Sequence, residues 1–423
     1  MKERYNHILV ACSLLLCCCG CSFTTAKDNN TDCVKDNFKF AQEQLQFAIK
    51  EVNYARLNEP LEAKETRIKK NLGELVSPRN VEKDGSLHLV PSGDWTSGFF
   101  PGELWMMYEY TGNNFWRKEA QLYTEALEKE KLNGRTHDMG FKMFCSYGNG
   151  YRLTQDMRYK DILIQAAKTL STRFRPKAGI IRSWDHNKQK WQCPVIIDNM
   201  MNLELLFWAT KTTGDSTYYK IAVSHAMTTM KNHFRPDFSS YHVVDYDTLT
   251  GKVIKKNTHQ GYADESAWAR GQAWALYGYT MCYRETGKKE FLDQAVNVEK
   301  YIFGNKNMPD DLIPYWDFDV PNIEKEPRDV SAATVMASAL YELSRYVKGY
   351  KSRQYKDRAD TIIRNLTGHY RATPGKDCGF LLLHSTGTKP TDTEVDVPIV
   401  YADYYFLEAL LRKDRIEQNK TLF

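Results

Sequence analysis

DNMMNLELLFWATKTTGDSTYYKIAVSHAMTTMKNHF, residues 198–234, is the stretch that sets the fold. Its first part, 198–212, is apolar on most sides, as expected of a helix buried all round. It stops at Thr213-Gly214-Asp215, where glycine accepts the left-handed backbone that ends a helix at little cost. The second part, 218–234, places apolar residues against polar ones at helical spacing, the pattern of a helix with one buried face. The unit is a helical hairpin with one inner and one outer member.

The same hairpin recurs around Tyr110-Thr111-Gly112, Leu153-Thr154-Gln155-Asp156 and Glu285-Thr286-Gly287, with a looser copy at Val347-Lys348-Gly349. The segments before these turns (98–110, 139–152, 266–284, 332–346) are apolar nearly all round. Those after them (115–128, 159–174, 290–303, 353–370) alternate apolar and charged faces. A sixth inner segment, 401–411, closes the chain, and a sixth outer one, 38–52, opens it. Placing the first outer helix beside the last inner one closes a ring, so the expected fold is an all-α (α/α)6 barrel. The turns are unevenly spaced, which excludes a solenoid of fixed period. The surplus length falls before inner helices, at 177–197, 239–265 and 304–331. These loops gather at one mouth, where a rigid scaffold carries its site. Strand character is confined to 241–246 and 379–384.

Composition narrows the class. Of 423 residues, 42% are hydrophobic and 26% charged, as in an ordinary globular protein. The 26 Tyr, 19 Phe and 9 Trp suit both a large helical core and stacking against sugar rings. A net charge of +5 is too mild for a nucleic-acid partner. At the N-terminus, Lys2 and Arg4 precede an apolar run over 8–16 and then Cys17-Cys18-Cys19-Gly20-Cys21. This reads as a signal peptide over 1–21. Its end resembles a lipoprotein cleavage site with Cys21 as the lipidated residue, so an exported chain, periplasmic or lipid-anchored, is expected. Residues 22–36 read as a short N-terminal segment and 37–423 as a single catalytic domain. Cys33, Cys145, Cys193, Cys282 and Cys378 are scattered without C-x-x-C spacing and read as buried single thiols.

The loops feeding the inner helices hold the chemistry. Asp94-Trp95 precedes the first, His137-Asp138 the second, Asp198-Asn199 begins the third, and His259-Gln260 lies ahead of the fourth, which carries Arg270 and Trp274. Taken singly, each Asp reads as a helix cap and Arg270 as a buried ion-pair partner. Four such loops on one rim read as a funnel. The sequence has no metal-ligand spacing, no phosphate loop and no G-x-S-x-G elbow. Carboxylate acid/base chemistry without cofactor or metal is left.

The set His137-Asp138-Met139-Gly140-Phe141, Ile197-Asp198-Asn199-Met200-Met201, Trp268-Ala269-Arg270-Gly271-Gln272-Ala273-Trp274 and Pro314-Tyr315-Trp316-Asp317-Phe318-Asp319 resembles glycoside hydrolase family 88, the unsaturated glucuronyl hydrolases. The resemblance covers nearly the whole chain after the leader and implies the (α/α)6 fold. It implies removal of a 4,5-unsaturated uronic acid from lyase-generated glycosaminoglycan oligosaccharides by hydration of the C4=C5 bond. Asp198 is then the acid/base and Asp138 its assistant. His137, His242, Gln260, Arg270 and Trp274 line the site, and Trp95 and Trp184 stack on sugar. A loop bearing Ser385, Thr388 and Lys389 resembles one that holds a sulfate in some members. For Asp198 to act as an acid its pKa must rise. A helix N-terminus opposes this, so the charge of Asp138 is expected to supply it. Two other readings remain open at this stage. One is the related unsaturated rhamnogalacturonyl hydrolases acting on pectin fragments. The other is a non-catalytic glycan-binding lipoprotein.

Overall fold

A computed structural model of the chain describes residues 29–422. The expected leader, with Cys21, lies outside the described residues. Helix α1 (Asn29–Leu57) opens the fold, and a short α2 (Leu61–Lys69) follows it. The hairpins come next: α3 (Phe99–Thr111) with α4 (Asn114–Glu125), and a π-helical segment (Gly140–Gly148) running into α5 (Asn149–Thr154) with α6 (Met157–Ser171). A 3-10 turn (Ile197–Asn202) leads into α7 (Leu203–Thr213), paired with α8 (Ser216–Asn232). Then follow α9 (Ala269–Thr286) with α10 (Lys289–Gly304), α11 (Val330–Leu343) with α12 (Tyr350–Asn365), and α13 (Val400–Glu417).

The inner elements pack side by side in chain order, and α13 returns to α3. Outer α1 lies against α13 and closes the ring, so the (α/α)6 barrel is the fold. Its core is mainly apolar and deep: every side chain of α11 is buried, Ser331, Thr334, Ser338 and Glu342 among them. Close approach is bought with glycine. A Cβ on Gly278 would sit 2.5 Å from the Met200 Cβ, and one on Gly98 would collide with the Phe141 and Lys142 carbonyls.

The turns have a chemistry beyond their glycines. The Thr111, Thr154, Thr213 and Thr286 hydroxyls each donate to the carbonyl four residues back, at 2.6–2.7 Å. Each also accepts the backbone N–H two residues on, at 3.1–3.2 Å. One side chain thus closes an inner helix and orients the outer one.

Three expectations need correction. The domain begins before residue 37: α1 starts at Asn29 and Val34 is buried in the core. The second inner helix is π-wound over much of its length, and the third starts as a 3-10 turn, so Asp198 is not in the first turn of an α-helix. The stretch 379–384 is no strand. Leu382 makes an isolated bridge to Arg371, and the paired strands are Ser385–Thr388 and Thr393–Val397. The other expected strand stands as Val243–Tyr246, between Pro194–Ile196 and Val253–Asn257. A further hairpin, Leu75–Val81 with Leu87–Pro91, was not foreseen.

Candidate active site

Asp198 is buried, with 7% of its surface exposed. It is not a helix cap, because α7 is preceded by Asn202 and the 3-10 turn by Ile196. Its carboxyl is pushed up to about 7. Burial is the leading cause, since a carboxylate removed from water loses its solvation. The Arg270 guanidinium pulls the other way, and the charge of Asp138 adds only a smaller rise. The expectation that Asp138 supplies the shift is therefore corrected: burial does. An acid of this kind is half protonated near neutrality. kcat/KM is expected to fall about tenfold per pH unit above roughly pH 7, as the acid form is lost. A pH–rate profile with no such limb would remove Asp198 from the acid role.

His242 faces Asp198, with Nε2 3.7 Å from Oδ2. Its Nδ1 accepts the backbone N–H groups of His259 and Gln260, both at 3.1 Å. Burial, then His259 and Arg270, hold its pKa well below that of a free imidazole. The ring is therefore neutral, and with Nδ1 an acceptor its proton sits on Nε2. A donor is thus aimed at the Asp198 carboxyl from just beyond hydrogen-bond distance. Neither Nε2 nor Oδ2 has a protein hydrogen-bond partner. The Trp274 indole faces the same carboxyl and lowers its pKa slightly, though its N–H closes no hydrogen bond of standard geometry.

Asp138 is partly open. Its Oδ2 accepts the Thr136 hydroxyl at 2.5 Å, and Oδ1 lies 3.2 Å from His137 Nε2. His137 is itself buried, and burial lowers its pKa against the pull of Asp138. Thr136 was not foreseen, although a hydroxyl two residues before an acid is a local signal.

Arg270 is 1% exposed. One terminal nitrogen meets Asp329 at 2.6 Å and the Thr386 carbonyl at 2.5 Å, and the other meets the Gly387 carbonyl at 2.6 Å. The structure thus gives Arg270 the buried ion-pair role. It raises the positive potential at the site and pins the 385–388 strand. Asp329 was missed. Its other oxygen caps α11 through Ser331 N at 3.1 Å, and Asp ahead of Val330-Ser331 carries that capping signal. Asp94 is also structural: it accepts Thr96 N at 2.9 Å and pairs with Arg79 at 2.8 Å. Asp317 holds the approach to α9, accepting Tyr262 N and the Ser266 hydroxyl at 2.9 and 2.7 Å.

Trp95 packs against Phe99, Phe141 and Tyr401, with centroids 5.0–5.8 Å away. Trp184 lies on the opposite loop, 5.7 Å from the His259 ring. Gln260 Nε2 reaches the Gly387 carbonyl at 3.2 Å and the Thr388 hydroxyl at 3.3 Å, so the 385–389 segment does lie on the rim. Its three expected sulfate contacts are unlike one another. Ser385 is fully buried, Thr388 is engaged by Gln260, and Lys389 is only half-buried.

A cavity of about 560 Å³ opens at the other mouth, where the inner helices end. Its charges are internally matched: Arg284 with Glu204 and Glu342, Arg412 with Glu408, and Arg152 with Glu109. Burial again leads in raising the Glu204 carboxyl, to about 7. None of the rim residues above lines this cavity.

Comparison with known proteins agrees with this geometry. The profile of Glycosyl Hydrolase Family 88 matches residues 67–408. An unsaturated glucuronyl hydrolase of Formosa agariphila is 49% identical over 83% of this chain and 89% of its own length. One from Bacillus sp. strain GL1 is 34% identical over 80% of this chain and 94% of its own. Among solved structures, an unsaturated glucuronyl hydrolase specific for heparin superposes with a TM-score of 0.83 at 46% identity, covering 92% of this chain and all of that one.

Proposed function

The chain belongs to Glycosyl Hydrolase Family 88, and from that premise we propose how its site removes a 4,5-unsaturated uronic acid from the non-reducing end of glycosaminoglycan oligosaccharides. The observation that carries the proposal is Asp198, a buried carboxyl that keeps its proton to about pH 7 beside a fixed Nε2–H donor. Asp198 delivers its proton to C4 of the vinyl ether. The electron pair of the double bond forms the new C–H bond and leaves a cation at C5 stabilised by the ring oxygen. Water bonds to C5 and returns a proton to the Asp198 carboxylate. The hemiketal opens at the bond between C5 and the ring oxygen, and the hemiacetal left at C1 releases the second sugar as an alcohol. One water is consumed. His242 and Asp138 orient the carboxyl and the water, and Arg270 favours the anionic form of the substrate at the rim.

Turnover in deuterated water tests this directly. The released uronate is expected to carry deuterium at C4, and a saturated glucuronide, with no double bond to protonate, is expected to be inert. Product lacking deuterium at C4 would count against hydration in favour of attack at the anomeric carbon.

The substrates are proposed to be sulfated, with heparin-type disaccharides first, because the heparin-specific enzyme is a near structural match across its whole length. A mutant of the related Streptococcus agalactiae enzyme, 28% identical with a TM-score of 0.70, was solved with dGlcA-GalNAc6S. Of the three rim residues, Lys389 is the one positioned to meet a sulfate. Charge-assisted bonds are the stronger kind. Lys389→Ala is therefore expected to lower the ratio of kcat/KM for sulfated over unsulfated disaccharide about tenfold. An unchanged ratio would make the segment purely structural. The leader supports a further proposal, that the protein is exported and held at a membrane or in the periplasm through lipidated Cys21.

A further inference from the structure

The hairpin Leu75–Val81 with Leu87–Pro91 takes no part in the chemistry above, yet one of its side chains reaches both the Trp95 loop and the segment that carries Lys389. The Arg79 guanidinium bridges two carboxylates. Nη1 donates to Asp94 Oδ2 at 2.8 Å, while Nε and Nη2 donate to the two Glu394 oxygens at 2.6 and 2.9 Å. Each carboxylate frames a different loop. The other Asp94 oxygen accepts Thr96 N at 2.9 Å and the Thr96 hydroxyl at 2.7 Å, closing a turn around Trp95. Glu394 stands in the strand Thr393–Val397, paired with Ser385–Thr388. Its carboxylate lies against the Gly387 backbone, where a Cβ would collide with it. The Gly387 carbonyl in turn accepts from Arg270 at 2.6 Å and from Gln260 at 3.2 Å. The hairpin itself is fixed to the barrel, because Asn80 bridges to Ile399, just ahead of α13.

Lys83 and Asp392 also join the two hairpins, at 2.7 Å, but both are exposed, and such pairs hold little. The Arg79, Asp94 and Glu394 side chains are 18%, 20% and 4% exposed, so this tie is much better shielded from water. The planar fork of Arg79 holds Glu394 with two N–H groups and Asp94 with a third. A lysine ammonium, a single point charge, cannot copy that geometry. Without Arg79 the two carboxylates would be left unneutralised around the same space, and their repulsion would part the two loops.

We propose that Arg79 is a positioning residue that sets the distance between Trp95 on one loop and Lys389 on the other, and so decides how tightly a sulfated sugar beside the unsaturated uronate is held. This rests on the function proposed above and adds to it the residue that shapes the rim. Arg79 meets no reacting atom. Asp198 is carried by the 3-10 turn Ile197–Asn202 and faced by His242, so the acid keeps its surroundings when Arg79 is changed. The effect of Arg79 therefore falls on binding and on the choice between substrates, not on proton transfer.

The test compares wild type, Arg79→Gln, Arg79→Lys, Lys389→Ala and the double variant Arg79→Gln/Lys389→Ala on sulfated and unsulfated unsaturated disaccharides. Thermal melts and calorimetry with a saturated, unreactive sulfated disaccharide run beside the kinetics. Arg79→Gln is expected to raise KM for the sulfated disaccharide about tenfold with kcat kept. It is also expected to lower the sulfated-to-unsulfated ratio of kcat/KM to the value that Lys389→Ala leaves. The double variant should lower the ratio no further, since both changes act on one contact. Arg79→Lys should behave like Arg79→Gln, and it carries the same comparison if the melts show Arg79→Gln to be unfolded. The calorimetric Kd should follow KM. An unchanged ratio in a folded Arg79 variant, or losses that simply add in the double variant, overturns the proposal and leaves Arg79 a stabilising residue of the hydrolase. A ratio lowered by Arg79→Gln but untouched by Lys389→Ala also overturns it, because the distance held would not be the one to Lys389. Inactivity of the wild type on every unsaturated disaccharide overturns the hydrolase reading instead, and the calorimetric comparison of the same variants then decides the role of Arg79.

Discussion

Asp198→Asn is expected to lower kcat/KM by at least about 10²–10⁴-fold, the usual contribution of a positioned proton donor. The amide keeps the size of the carboxyl and much of its hydrogen bonding, but it has no proton of suitable acidity to give to C4. The same substitution should leave the fold intact and, at alkaline pH, make it more stable. The folded pKa of Asp198 is about 7 against an ordinary value of 3.8. Between these values the unfolded chain has lost its proton while the folded chain keeps it, so stability falls as pH rises across that window and is level above it. The cost of the buried charge above pH 7 is about 4 kcal/mol. Thermal melts at pH 8 should show a higher Tm for the variant than for wild type. A folded Asp198→Asn enzyme with near-normal turnover would refute the assignment, and a Tm that drops would refute the account of why the carboxyl stays protonated.

The second large effect is expected at Asp329, which carries no proton in the reaction. Asp329→Ala leaves Arg270 charged and buried without its carboxylate, and breaking a pair in such a place typically costs about 3–5 kcal/mol. It also removes the cap of α11. Arg270 would be left to the Thr386 and Gly387 carbonyls, so the 385–388 strand and the rim beside Gln260 should loosen with it. Asp329→Asn keeps a capping oxygen and separates the two contributions. Urea denaturation should show a marked loss for Ala and a smaller one for Asn. Equal stability of all three proteins would mean that the ion pair contributes nothing.

How much of this was readable beforehand depends on where each signal lies. The twelve barrel helices could be read because burial all round and burial on one face leave different periodicities, and because Thr-Gly turns separate them. The π winding over Gly140–Gly148 has no such marker, since its helix pattern matches that of an α-helix at this length. The polar strand Val253–Asn257 was missed because its residues are half-buried or exposed and do not alternate. Asp138, Asp198, Gln260, Arg270 and Trp274 stand out in the loops that feed the inner helices, His242 only through the family pattern, and the structure brings them to one mouth. Asp329 and Thr136 act through partners, and a partner is a tertiary fact. The cause of the Asp198 shift was misjudged for the same reason. A neighbouring charge can be seen in a sequence, whereas desolvation depends on everything packed around the group.

The two ends of the described chain have a practical consequence. Near the start of α1, Phe38 stacks on Tyr110, at the end of α3, with centroids 3.8 Å apart. Near the end of α13, Arg415 and then Leu422 line the charged cavity. The polypeptide therefore enters and leaves the barrel on the face opposite the acid. A molecule tethered by either end, whether to a bead, a fusion partner or a bilayer, turns its sugar-receiving mouth outward from the support. Immobilisation through either end should leave diffusion of oligosaccharides to the acid unobstructed.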